Sequence, residues 1–288
     1  MRTLYGIVLT ALICVGSVPA QQTGVSNRAG ARVTDLVTAV ASGANTKARG
    51  AAITKRLDEL GIRYRVEPFT YEGHEGNNIV AELPAPETGK ELMLGAHYDR
   101  VSEGKGAVDN ASGAVAVLEL LAALKEKPLK NYKVSAAFFD LEEIGLRGSA
   151  DYIKSRQGKN LPAVFINFDV FGYGDTLWGM ARDKKSLSAA SVKDAAAASK
   201  FLLEIGTGYP PSDHLSFIRA GVDTLAFSLI DGKEIKSVLM VFQRERPEVM
   251  PRVLTIIHSG NDTPDKIDGA AVARALPVIE QAIRLIDK

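Results

Sequence analysis

The sequence predicts an α/β fold: a single domain built on a mixed, mostly parallel central sheet flanked by helices. Three observations predict it. From residue 91 onward, short apolar runs of strand length alternate with segments whose apolar residues recur at helical spacing. The chain has 288 residues and 46% hydrophobic content, enough for one large core. No internal repeat or low-complexity linker divides it.

Taken in order, residues 1–20 read as a secretory signal peptide. Arg2 is the charged start, residues 4–15 are apolar, and Val18-Pro-Ala20 is a small-residue cleavage site before Gln21. Residues 21–30 are polar and Gly-containing, which predicts a flexible mature N-terminus. The domain is expected over 31–288. Val33, Leu36, Val37 and Val40, then Ile53, Leu57 and Leu60, predict helix from 32 to 60, broken near 42–45 and stopped at Gly61. Residues 62–70 and 78–83 read as strands of a hairpin, with His74 in the turn. Helices are predicted at 112–125, 146–155, 184–203, 214–220, 234–242 and 269–286.

Composition narrows the partners. Cys14 is the only cysteine, and cleavage would remove it, so the mature chain would rely on its core rather than on disulfides. Formal net charge is +1, and loss of Arg2 with the leader brings it to zero. That balance argues against nucleic acid or an anionic membrane surface. Beyond the N-terminus no apolar run approaches the ~18 residues of a membrane span, so no stable membrane association is expected after cleavage. The expected location is periplasmic or secreted. Nothing in the residues specifies an oligomeric state.

Four apolar, strand-like runs each end on a metal-capable residue. The run at 91–96 ends in His97-Tyr-Asp99, the run at 134–139 in Asp140-Leu-Glu142-Glu143, the run at 164–168 in Asp169, and the run at 253–257 in His258. A fifth candidate, Asp109, sits in the Gly-rich loop 104–113. Ligands of open α/β sheets bind beyond the carboxyl ends of strands, so one sheet could bring all five groups together. Two imidazoles and three carboxylates suit a pair of divalent ions, zinc first.

Each position also has a plainer reading: a surface His, a helix cap, an acidic turn, a strand-end Asp, a half-buried His. The ensemble favours metal. Two residues apart in an extended segment, His97 and Asp99 share a side, so Asp99 can accept the second ring N–H of a ligating His97. Asp109 has two oxygens and can bridge two cations. Adjacent Glu142 and Glu143 would repel one another after a buried strand unless cations compensate. Glu143 is assigned to metal and Glu142 to general base. His74 is not expected to be a ligand, and Asp262 and Asp265 are expected to form turns or support the His258 loop.

The order His97-x-Asp99, Asp109-Asn-Ala-Ser-Gly113, Glu142-Glu143-x-Gly-x-x-Gly-Ser149, Asp169, Ser212-Asp213-His214 and a final His258 resembles the co-catalytic zinc aminopeptidase family, including secreted bacterial leucyl aminopeptidases. Glutaminyl cyclases are structural relatives. The resemblance runs from about residue 78 to the C-terminus. It implies the zinc aminopeptidase (phosphorylase-like) fold and two Zn2+ per chain, held by His97, Asp109, Glu143, Asp169 and His258 with Asp109 bridging. It implies Glu142 as base, Asp99 as the His97 partner and a cis peptide after Asp109. It also implies hydrolysis of N-terminal residues from peptides with a free N-terminus. Tyr209 stands where some members carry an oxyanion-stabilising tyrosine. Ser212 or Asp213 reads as a helix cap near the pocket, and Phe171, Tyr173, Trp178 and Phe217 as pocket lining. The alternatives are a cyclase-like aminoacyl transferase, whose family typically lacks the first His, and a two-zinc carboxypeptidase or dipeptidase, which usually carries a further domain. A binding module on the same fold would be expected to have lost ligands or the base.

Overall fold

The computed structural model describes residues 20–288 apart from 85, 87, 88 and 158. Two helices lead, α1 (Ala20–Ala41) and α2 (Thr46–Glu59). The break between them falls where the sequence placed it, and the Asn45 side chain accepts from Ala48 N at 2.9 Å to cap α2. The hairpin follows as β1 (Arg63–Tyr71) and β2 (His74–Glu82), joined by a turn at Glu72-Gly73. Then come β3 (Glu91–His97), α3 (Ser112–Glu126), β4 (Lys133–Phe139), α4 (Arg147–Ser155) and β5 (Val164–Phe171). The C-terminal part adds β6 (Thr176–Ala181), α5 (Leu187–Ser199), β7 (Leu202–Gly206), α6 (His214–Arg219) and β8 (Asp223–Ile230). It closes with α7 (Ile235–Phe242), α8 (Arg252–Ile256) and α9 (Gly269–Ile286).

The strands form one eight-stranded sheet in the order β1-β2-β4-β3-β5-β8-β6-β7. Its centre, β4-β3-β5-β8, is parallel; β1, β2 and β6 enter antiparallel to their inner neighbours, and β7 pairs parallel with β6. The mixed sheet matches the predicted class. Side chains alternate across it with period two. Leu92, Leu94, Ala136 and Phe138 pack with α1, α2, α3, α5 and α9 on one face. Met93, Ala137, Phe139 and Phe165 pack with Tyr152 of α4 and Phe217 of α6 on the other.

Three sequence expectations change here, and a fourth falls outside the described residues. The leader at 1–20 lies, apart from Ala20, outside the described residues. The flexible segment expected at 21–30 is helical, part of α1. Its local composition is overridden by packing on α9: a Cβ on Gly30 would stand 2.9 Å from Ala270 N, so only glycine allows the approach. The run at 253–257 is not a strand. Its β-branched residues fall in α8, where Glu234 Oε2 accepts from Val253 N at 2.7 Å and Val253 and Ile256 pack against Trp178 and Val238. Finally, the stretch Ala107–Glu126 is apolar and long enough to span a membrane, but 89% of its window is buried in this fold. It is the core helix of the sheet.

After the β1–β2 hairpin the chain lays down β3 at the centre, adds β4 on one side and later β5 on the other. Loops leaving β3 and β5 therefore diverge, and a crevice opens at the carboxyl ends of the strands.

Candidate metal centre

His97 ends β3, and its ring is buried between three acids. Nδ1 lies 3.3 Å from Asp99 Oδ1. Nε2 lies 3.2 Å from Asp109 Oδ1 and 3.5 Å from Asp169 Oδ1. The other oxygen of Asp99 accepts from Glu143 N at 3.2 Å, so one carboxylate steadies both an imidazole and the turn that carries Glu143.

Asp109 sits in a buried turn, Ala107–Ala111, and its peptide bond to Asn110 is cis. Its two oxygens face different imidazoles: Oδ2 is 3.0 Å from His258 Nε2, while Oδ1 faces His97. His258, at φ +53 just past α8, also lies 3.1 Å from Glu143 Oε2. Asp169 lies inside β5 rather than after it, at the register shift between Phe168 and Phe171. That irregularity frees its side chain from the strict alternation of the strand.

All five predicted ligands thus converge. Ligand atoms of His97, Asp109 and Glu143 lie within 4.8 Å of one another, as do those of His97, Glu142 and Asp169. His74 opens β2 on the exposed hairpin and belongs to neither group.

The electrostatics ask for cations. Burial pushes the carboxyls of Glu142 and Glu143 upward, and neighbouring acids add to it. Burial would also raise Asp109, but His258 and His97 outweigh it and hold that carboxylate well below its ordinary range. Burial would lower His97, yet Glu142, Asp109, Asp169 and Asp99 raise it well above the usual imidazole value. Glu143 Oε1 and Asp169 Oδ1 are buried without a hydrogen-bond partner among the described residues. Oxygen and imidazole donors in two groups, surplus buried negative charge and orphaned carboxylate oxygens fit a pair of divalent ions.

A cavity of about 230 Å³ opens from these groups. Trp178, Ile230, Val238, Val253, Leu254 and Ile257 are among its apolar lining. Of the four aromatics expected to line it, Trp178 does. Phe171 and Phe217 are buried in the packing on opposite faces of the sheet, and the Tyr173 hydroxyl bonds Glu234. Tyr209 is in the cavity wall, but its hydroxyl lies 2.6 Å from Ser228 Oγ. Ser228 donates its own proton to Asp169 O at 2.5 Å, so the Tyr209 proton goes to Ser228 and not to the cavity.

Neither Ser212 nor Asp213 caps α6 with its side chain. Ser212 Oγ instead accepts from Asn167 Nδ2 at 3.1 Å, and both carboxylate oxygens of Asp213 are buried without a partner among the described residues. Asp262 goes beyond the supporting role expected of it. Its carboxylate accepts from the main chain of Val108 at 2.7 Å and of Asp109 at 3.1 Å. The sequence reading passed over Arg49 altogether. It is wholly buried in α2 and bonded to the loops of His97 and Asp109.

The sequence profile of Peptidase family M28 matches residues 78–283. The chain belongs to this family. Leupeptin-inactivating enzyme 1 of Streptomyces exfoliatus is 31% identical over 209 residues, 67% of this chain and 46% of that protein. The chain spans less than half the length of the curated relatives it matches. Two solved structures share this fold at low identity. The LapA aminopeptidase of Legionella pneumophila superposes with a TM-score of 0.70 at 16% identity, covering 100% of this chain and 80% of that one. A glutaminyl cyclase of Porphyromonas gingivalis superposes with 0.69 at 20% identity, covering 90% and 97%.

Proposed function

We propose that this chain is a two-zinc aminopeptidase that removes N-terminal residues from peptides. The observation that carries the reading is Asp109, whose two oxygens face two different imidazoles. That arrangement divides the donors into His97, Asp109 and Asp169 for one ion and His258, Asp109 and Glu143 for the other. Glu142 is left over, close to the first group and lining the cavity, where a general base is needed. When bound, the two ions supply Lewis acidity, polarising a carbonyl oxygen and lowering the pKa of water from 15.7 toward about 7.

The chain's own residues do the rest. A Glu142 carboxylate oxygen takes the proton of the attacking water and hands it to the leaving amine. Asp99 holds the His97 tautomer and, through Glu143 N, the turn carrying both glutamates. The cavity receives the first side chain of the peptide. Its apolar wall, with no Lys or Arg in the lining among the described residues, suits an apolar residue there. Residues 1–20 support export to the periplasm or beyond as part of the same reading.

A second reading has one specific observation behind it, since the fold spans 97% of the glutaminyl cyclase chain. Retention of His97 beside Asp109 and Asp169 supports two ions and hydrolysis over it. One experiment separates them: zinc per chain on purified protein, with release of p-nitroaniline from leucyl, phenylalanyl and lysyl substrates and of ammonia from a glutaminyl peptide. About two zincs and chelator-sensitive release, fastest with the apolar substrates, is expected. One zinc with ammonia release and no p-nitroaniline would establish the cyclase instead.

A further inference from the structure

Arg49 lies in α2, remote in sequence from every predicted ligand, and is 0% exposed. Its guanidinium is spent on main-chain carbonyls: Nε donates to Tyr98 O at 2.5 Å, Nη1 to Lys105 O at 2.7 Å and Nη2 to Gly106 O at 3.0 Å. Among the described residues it forms no ion pair, and burial pushes its pKa down to about 10. A buried guanidinium is costly where an apolar side chain of similar length would fill the space. What it touches gives it a use. Tyr98 stands between His97 and Asp99, and Lys105-Gly106 leads into Asp109.

Asp262 is the complement. It accepts from Val108 N and Asp109 N through its two carboxylate oxygens, and from Lys105 N through its carbonyl at 2.6 Å. It stands four residues past His258. Between the two lies Gly104, at φ +69, so close to the His258 loop that a Cβ would meet Ser259 O at 2.3 Å. The loop at 104–109 is therefore held by a cation on its carbonyls and an anion on its amides. Arg49 ties it to the end of β3, and Asp262 ties it to the loop of His258.

We infer that Arg49 and Asp262 are positioning residues that set the spacing of His97, Asp109 and His258, and so the separation of the two cation sites. The inference rests on the two-ion reading above. Neither side chain is placed as a ligand. Each acts through the backbone of a residue that is, and together they preorganise the site.

The test is a Co2+ titration of chelator-stripped, full-length protein followed by visible absorption, beside the kinetics of the reloaded enzyme. Arg49→Met keeps length and removes all three donors. Asp262→Asn keeps shape and replaces one acceptor by an NH2 donor set against a main-chain N–H. Arg49→Lys restores the charge with a single donating nitrogen. Met and Asn variants with wild-type circular dichroism should bind at least one Co2+ ten-fold or more weakly, with an altered spectrum. Their kcat should fall ten-fold or more while KM moves less than three-fold, and Lys should fall between Met and wild type. Folded variants with wild-type affinity and spectrum would overturn the inference and leave a purely structural staple. If Arg49→Met does not fold, Asp262→Asn and Arg49→Lys decide by the same criteria. Wild type taking fewer than two Co2+ would overturn the two-ion reading, and this inference with it, before any variant is compared.

Discussion

Glu142 and Glu143 are neighbours in the chain, and the proposed mechanism gives them different work. Leu141, at φ +56, turns the backbone sharply before the pair, and Glu143 N is fixed on Asp99. Glu143 then faces His258, while Glu142 lies within the group of His97 and Asp169. Glu142→Gln should keep both metals and the melting temperature of the native protein and lose 10²–10⁴-fold in kcat, the range of a general base. Metal content and kcat measured on one preparation check it; full activity would remove Glu142 from the base role. For Tyr209 the expectation is smaller. Its proton is committed to Ser228, so Tyr209→Phe should cost less than ten-fold, against the ~10²–10³ of a true oxyanion donor. A loss in that larger range would restore the oxyanion role. His214 supplies a pH prediction. Burial lowers its imidazole from 6.5 to about 4. Between those values the unfolded chain binds the proton and the folded chain does not, so stability is full above pH 6.5 and falls as pH drops toward 4. The loss at the end of that window is roughly 3 kcal/mol. Urea midpoints of metal-free wild type and His214→Gln at pH 7 and 4.5 should show a smaller pH effect in the variant; equal losses would mean the imidazole is not held neutral.

At the scale of elements, α1 shows packing overruling local composition. Gly30 and Gly269 bring α1 and α9 into backbone contact, and a Cβ on Gly269 would lie 2.2 Å from Gly30 O and 2.4 Å from Thr34 Oγ1. Gly269→Val should push the helices apart, cost on the order of 1–3 kcal/mol, and open the N-terminal helix to limited proteolysis. An unchanged melting temperature and digestion pattern would show that this contact is dispensable. The same contact explains why residues 21–30 read as flexible: nothing within them announces a partner more than two hundred residues away. What was legible were elements with their own periodicity. The α1–α2 break, the hairpin, α3 and α9 all follow from apolar spacing and turn residues. The candidate ligands at the end of β3, past the end of β4 and within β5 were legible because each follows or ends an apolar run. His258 was found for a partly mistaken reason, since its β-branched run is helical in α8. No strand was individually assigned between Asp169 and His258, so β6, β7 and β8 were missed. Arg49 escaped, and Asp262 was expected only to form a turn or support the His258 loop, because a lone charge has no periodic signature; only the folded loop shows what each holds.

Across the whole molecule, the candidate ligands sample nearly every layer of the fold. His97 and Asp169 come from neighbouring strands, Asp109 from the turn into the core helix, Glu143 from the exit of β4 and His258 from the end of α8. Two ions bound here would cross-link segments spread over 162 positions of sequence, from His97 to His258 inclusive. The chain has no second cysteine for a disulfide to do so. Without ions, the crowded carboxylates repel one another and Glu143 and Asp169 each keep a buried oxygen unsatisfied. Metal binding is therefore coupled to folding stability: at free zinc a thousand-fold above the dissociation constant, one ion adds about 4 kcal/mol if the unfolded chain does not bind it. For a domain of this size each kcal/mol moves the melting temperature by roughly 2–4 °C. Chelation should thus lower the melting temperature by on the order of 10 °C, and zinc should restore it in step with activity. Scanning calorimetry across a zinc titration measures this directly. A melting temperature indifferent to chelator, in protein shown to have lost its metal, would mean that the site is held open by its surroundings alone and that the ions contribute chemistry but no stability.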